Sequence, residues 1–177
     1  MTQVDPPYFA PLTFGDDAER DAFMQQWFGK HLRSMDEPRL YLAYPYDVVR
    51  VLMLPTFHEP RLVRIDLDPT TTRIAAKQTD GRGGYGVGRL KIDKTIVAPC
   101  HLFNDAIALL NSIDFWNLPR LDDANVLDGT RYVIESRING EYHVIERASP
   151  NTNERKLLAW INANAQELLP KRWITRR

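Results

Sequence analysis

The chain has 177 residues and a mass of 20.5 kDa, enough for one well-developed hydrophobic core and short for two ordinary domains. Its 23 Lys and Arg balance its 23 Asp and Glu, which argues against a dominant nucleic-acid-binding field, so no specific nucleic-acid partner is expected. The single Cys100 excludes an intramolecular disulfide, and no run approaches the roughly 20 apolar residues of a spanning helix, so no transmembrane association is expected.

Residues 1–15 carry Pro6, Pro7 and Pro11 and read as an extended lead lying over the body through Tyr8, Phe9, Leu12 and Phe14. This start lacks the basic-then-apolar pattern of a signal peptide, which leaves two homes: the cytoplasm, or the periplasm for a chain whose export signal has been removed. Asp16 is expected to cap a helix. Ala22, Phe23, Trp27, His31 and Leu32 recur at threes and fours over residues 18–32, which predicts that these aromatics face the core.

Residues 41–44 and 46–54 are rich in aromatic and branched side chains and predict strands separated by Pro45. The nearly continuous apolar run from Val48 to Leu54 suits a central strand covered on both faces and stopping at Pro55. Residues 62–66 and 72–78 flank Asp68-Pro69 as a hairpin, and 87–97 form a further strand with one wetter face. A helix is expected over 101–113, with Phe115 and Trp116 anchoring its exit and an acidic surface loop at 120–128.

The sharpest local pattern is Asn139-Gly140 between two strand-like runs, the pair favoured by a two-residue type I′ turn. It predicts that Ile138 faces Glu141, Ser136 faces His143, Ile134 faces Ile145 and Tyr132 faces Arg147, all on one surface. Arg131, Val133, Glu135, Arg137, Tyr142, Val144 and Glu146 occupy the other. Asn151 and Thr152 can cap a last helix running to Leu169. The expected fold is α+β, an antiparallel-dominated sheet of about five to seven strands packed against two or three helices. The expected organisation is a lead (1–15), one domain (16–170) and a basic C-terminal tail (171–177).

Chemical motifs are sparse. The glycine-containing segment 81–88 lacks both the Lys-Ser/Thr pair of a P-loop and a helix-opening dinucleotide fingerprint, so a flexible hairpin connection is expected, with Arg82 placed to meet an anion. The histidines at 31, 58, 101 and 143 show no zinc-site spacing, and Cys100 beside His101 does not define a nucleophile and its base. No cofactor or metal is expected. Ser136 opposite His143, with Glu141 and Arg147 alongside, forms a contact surface if that side is uncovered. Arginine supplies 17 of the 23 basic residues, which favours geometrically specific contacts. Four positive charges beside Trp173 lie in the tail and leave the rest of the chain at −4.

The segments VVRVLMLPTFHEPRLVRI (Val48 to Ile65), GRGGYGVGRL (Gly81 to Leu90), FWNLP (Phe115 to Pro119) and DGTRYVIESRINGEYHVIERASP (Asp128 to Pro150) resemble an uncharacterised family of bacterial proteins. The likeness runs from Val48 to Leu169, with Tyr132 standing where that family usually has Trp. The resemblance implies one unified domain and brings no activity, cofactor or catalytic residue; some members resemble exported proteins.

The leading expectation is a non-enzymatic protein-recognition domain, of an inhibitor or immunity type, contacting a protein partner through Arg82, Arg137, Glu141, His143, Arg147 and Trp173. The alternatives are a small hydrolase using Glu135 or His143 and a structural subunit of an oligomer. A deep pocket joining Glu135, His58 or His143 would favour the enzyme, and an exposed patch of aromatic residues and arginine would favour recognition.

Overall fold

The computed structural model describes residues 6–122, 124, 126 and 128–170. Trp173 and the basic tail lie outside the described residues. The fold is α+β: a six-stranded antiparallel sheet packed against three helices. In chain order these are α1 (Ala18–Ser34), β1 (Asp47–Pro55), β2 (Arg61–Leu67), β3 (Thr72–Thr79), β4 (Leu90–Ala98), α2 (His101–Ser112), β5 (Thr130–Ile138), β6 (Glu141–Arg147) and α3 (Thr152–Ala165), with a single 3-10 turn at Phe115–Asn117. The strand order is β4-β3-β2-β1-β5-β6, with every neighbouring pair antiparallel.

β1 lies in the middle of the sheet and is covered on both faces, as its apolar run predicts. Val49, Val51 and Met53 join one core with Val63, Ile65, Ile134 and Ile145, closed by Leu102, Ala106 and Leu110 of α2 and Leu157 and Ile161 of α3. Leu52 and Leu54 face the other side, where Met24, Phe28 and Leu32 of α1 meet Phe9 and Phe14 of the lead. Asp21 fastens that lead: its carboxylate accepts from the Leu12 and Phe14 backbone N–H groups at 3.0 and 2.8 Å.

The β5–β6 hairpin has the expected register throughout. Asn139 and Gly140 both adopt positive φ, 51° and 82°, as a type I′ turn requires. Asn151 caps α3 in a reciprocal capping box with Glu154.

Five expectations need correction. The last helix ends at Ala165, with turns instead of helix over the residues to Leu169. Asp17, not Asp16, caps α1, accepting from the Glu19 and Arg20 N–H groups. The buried stripe of α1 is Asp21, Met24, Phe28, His31 and Leu32, which leaves Phe23 61% exposed and Trp27 half-buried. Residues 41–44 form no strand: the Leu40 and Leu42 carbonyls accept from the Arg137 guanidinium, Tyr44 Oη donates to Asp66 and the Tyr41 ring meets Tyr142, so this backbone is held by side chains instead of a neighbouring strand. Finally, β4 is exposed on both faces over most of its length, with Val97 72% exposed, because it forms the edge of the sheet.

Candidate functional site

Two polar assemblies could carry chemistry, and they lie in different places. The first is buried under the segment that follows α1. Arg50 of β1 stands directly opposite Arg64 of β2 and Glu135 of β5. Two like charges across a strand pair repel, so the arrangement needs carboxylates between them. Glu37 supplies one, reaching Arg50 at 3.3 Å, Arg64 at 2.8 Å and Lys77 at 3.2 Å. Glu135 supplies another, at 2.6 Å from Arg50 Nη2, and Asp66 a third, at 3.0 Å from Arg64.

Three cations thus meet three carboxylates. Tyr142 Oη donates to Glu135 Oε1 at 2.8 Å, and Arg50 also donates to the Pro38 carbonyl. Burial pushes Glu135 above the usual carboxylate range against the opposing pull of Arg50, and pushes Tyr142 well up beside it. Both Arg50 and Glu135 are wholly enclosed, so no cleft brings substrate to them. The network clamps residues 35–40 onto the sheet.

The hairpin candidates are separated by the pleat. Glu135 faces the α1 side, whereas Ser136 and His143 face the α2–α3 side. That second side is covered. Ser136 Oγ donates to the Val48 carbonyl, and His143 Nε2 lies 3.0 Å from the Leu118 carbonyl with its ring edge-on to Phe115. Burial lowers the His143 pKa. Arg147 is 3% exposed and spends its guanidinium on Glu154 and on the Glu146 and Pro119 carbonyls. Glu141 is exposed at the turn, while Arg137 is directed to the carbonyls of residues 40 and 42. The hairpin therefore does not assemble an open surface from these residues.

The second assembly is an open groove of about 490 Å³ at the end of the sheet where β1 stops and β5 begins. One wall is α1, with Phe23, Gln26, Trp27 and Lys30; the opposite wall comes from Asp128, Gly129, Thr130 and Arg131; Thr56, Gly84 and Tyr85 complete it. Its volume falls within the range of ligand and side-chain pockets. Two lining aromatics stand well out of the core, Phe23 at 61% and Tyr85 at 60% exposure, and Phe57, 50% exposed, backs Tyr85 from outside the lining. Phe57 meets Tyr85 with ring centroids 6.2 Å apart, and Phe23 meets Trp27 at 6.0 Å.

The glycine loop shapes this groove and is pinned, unlike the flexible connection expected from composition. Trp27 Nε1 donates to the Gly83 carbonyl and Lys30 Nζ to the Tyr85 carbonyl, both at 2.9 Å. Gly83 N donates to Pro55 and Gly84 N to Thr56. A Cβ on Gly83 would lie 2.5 Å from backbone atoms of Leu54 and Pro55, so only glycine permits this approach. Thr56 fixes the far wall, exchanging hydrogen bonds with Gly129 through its backbone N–H and its hydroxyl. Arg82 is exposed on the loop, whereas Arg137 sits beside Val48 at the opposite end of β1. His58 is exposed on the β1–β2 turn and does not line the groove.

Composition alone hid the groove because its aromatics share helical spacing with the core stripe one residue away. The one sequence signal was the pair Phe23 and Trp27 beside two glutamines at 25 and 26. Among the described residues no cluster of three or more His, Cys, Asp or Glu could hold a metal ion, and no helix is long and apolar enough to cross a membrane.

No family model matches the chain, and a search of curated proteins finds no match either. The functional reading therefore rests on the geometry of the groove.

Proposed function

We propose that this protein is a non-enzymatic recognition domain that receives a segment of a partner polypeptide in the groove between α1 and the start of β5. The observation that carries this reading is the pair of exposed aromatics, Phe23 and Tyr85, lining a groove whose wall is already fixed by internal hydrogen bonds. Aromatic side chains dominate protein contacts because they bury a large area at little conformational cost, and a pre-shaped site avoids the entropy of ordering a loop. Such a stiff presentation supports an inhibitor or immunity-type role, in which the domain occupies a surface of another protein.

The test is affinity capture by the wild-type domain and by a Phe23→Ala/Tyr85→Ala variant, followed by reciprocal binding to the recovered protein. Retention by the wild type and loss by the variant, with both folded, supports the groove. Retention by that variant and loss on Arg137→Glu moves the contact to the hairpin. A hydrolytic activity abolished by Glu135→Gln in a folded variant would overturn the recognition role.

A further inference from the structure

The ionic groups of the groove are not equally committed. Arg131 is held by Glu146 at 2.8 Å, and Glu146 is 1% exposed, so drawing Arg131 toward a ligand would strand a buried carboxylate. Lys30 is tethered to the Tyr85 carbonyl. Asp128 lines the same groove, is exposed, and has no hydrogen bond or ion pair among the described residues. Asp128 is therefore the ionic side chain of the groove that makes no such contact among the described residues, across from a Lys30 ammonium held only by a neutral carbonyl.

We infer that the groove takes an arginine side chain of the partner, its guanidinium lying against the Tyr85 and Trp27 rings and its outer nitrogens meeting the Asp128 carboxylate. This rests on the groove being the contact face. A guanidinium is flat and weakly hydrated, stacks on aromatic faces and presents a fork to a carboxylate, so it satisfies both features together. A lysine ammonium offers the charge without the plane. An anionic side chain would meet the unpaired Asp128 and compete with Glu146 for Arg131.

The test uses three blocked pentapeptides, Gly-Ser-X-Ser-Gly with X as Arg, Glu or Leu, titrated into the protein while the Trp27 indole N–H resonance is followed by NMR. The arginine peptide is expected to shift that resonance. Asp128→Asn and Tyr85→Ala should each weaken its binding about tenfold or more, with Glu141→Gln unchanged as a hairpin control. Arginine-peptide binding that is unaffected by Asp128→Asn overturns the inference. So does binding of the glutamate peptide that is lost on Lys30→Met. Binding of the leucine peptide alone, sensitive to Tyr85→Ala, overturns the arginine assignment while sustaining the groove as contact face. A Trp27 resonance unmoved by all three peptides contradicts both.

Discussion

Arg50 and Glu135 face each other across β1 and β5 and form an ion pair at 2.6 Å with both side chains completely enclosed. Taking two charges out of water is expensive, and their attraction offsets that cost only while both partners remain. Arg50→Met leaves the enclosed Glu135 without its cation, while Glu37 keeps Arg64 and Lys77, and is expected to cost about 3–5 kcal/mol in urea unfolding. Adding Glu135→Leu should restore part of that loss. A double variant less stable than the single would contradict a role confined to holding the fold.

His31 gives the acid response a specific source. It is wholly buried in α1, and burial together with Lys30 lowers its pKa to about 4 against the opposing effect of a backbone hydrogen bond at Gly83. As pH falls below the ordinary histidine value, the unfolded chain takes up this proton and the folded chain does not. Stability is therefore lost between about pH 6.5 and pH 4 and this contribution levels off below, with an upper bound of roughly 3 kcal/mol. In His31→Leu the fall in urea midpoint from about pH 7 to about pH 4.5 should be smaller than in the wild type, since the carboxylates contribute alike to both. Equal falls would remove His31 from the account.

Gly83 and Gly86 separate close approach from mere loop composition. Gly83→Ala drives a methyl into the β1 backbone and is expected to cost about 1–3 kcal/mol and to displace the Tyr85 side of the groove. At Gly86 an added Cβ meets nothing within 4 Å, so Gly86→Ala should leave thermal unfolding within about 0.5 kcal/mol of the wild type.

Glu154 serves two partners at once: its Oε2 accepts from Asn151 N at 2.8 Å while Oε1 receives Arg147. Asn151→Ala keeps that backbone donor but removes the Oδ1 that accepts from the Glu154 N–H, and should cost about 1 kcal/mol, Arg147→Met about 3. Because both act through Glu154, the double variant should deviate from additivity by about 0.5 kcal/mol or more in a double-mutant cycle.

Local signals in the chain were legible and long-range charge was not. Asn139-Gly140 specifies its hairpin because the turn needs positive φ at two successive residues, and the Val48–Leu54 run specifies a central strand because both faces must be apolar. Arg50 sits inside that run as an apparent exception. Its partners Glu37 and Glu135 lie 13 and 85 residues away, so nothing local announces the network. In α1 the expected stripe holds at His31 and Leu32 and fails one position off at Phe23 and Trp27, which repeat with the same spacing as the buried Met24 and Phe28. Only the packing of the lead against Phe28 decides which set faces inward. The glycine loop looked free because its fastening points, Trp27 and Lys30, lie more than fifty residues earlier.

The most direct measurement is the dissociation constant of the captured partner, by calorimetric titration, for the wild type, Phe23→Ala/Tyr85→Ala and Arg137→Glu at one salt concentration. Recognition through the groove predicts that removing the two aromatics weakens binding about a hundredfold or more while Arg137→Glu changes it little. Wild-type affinity in the aromatic double variant would contradict it.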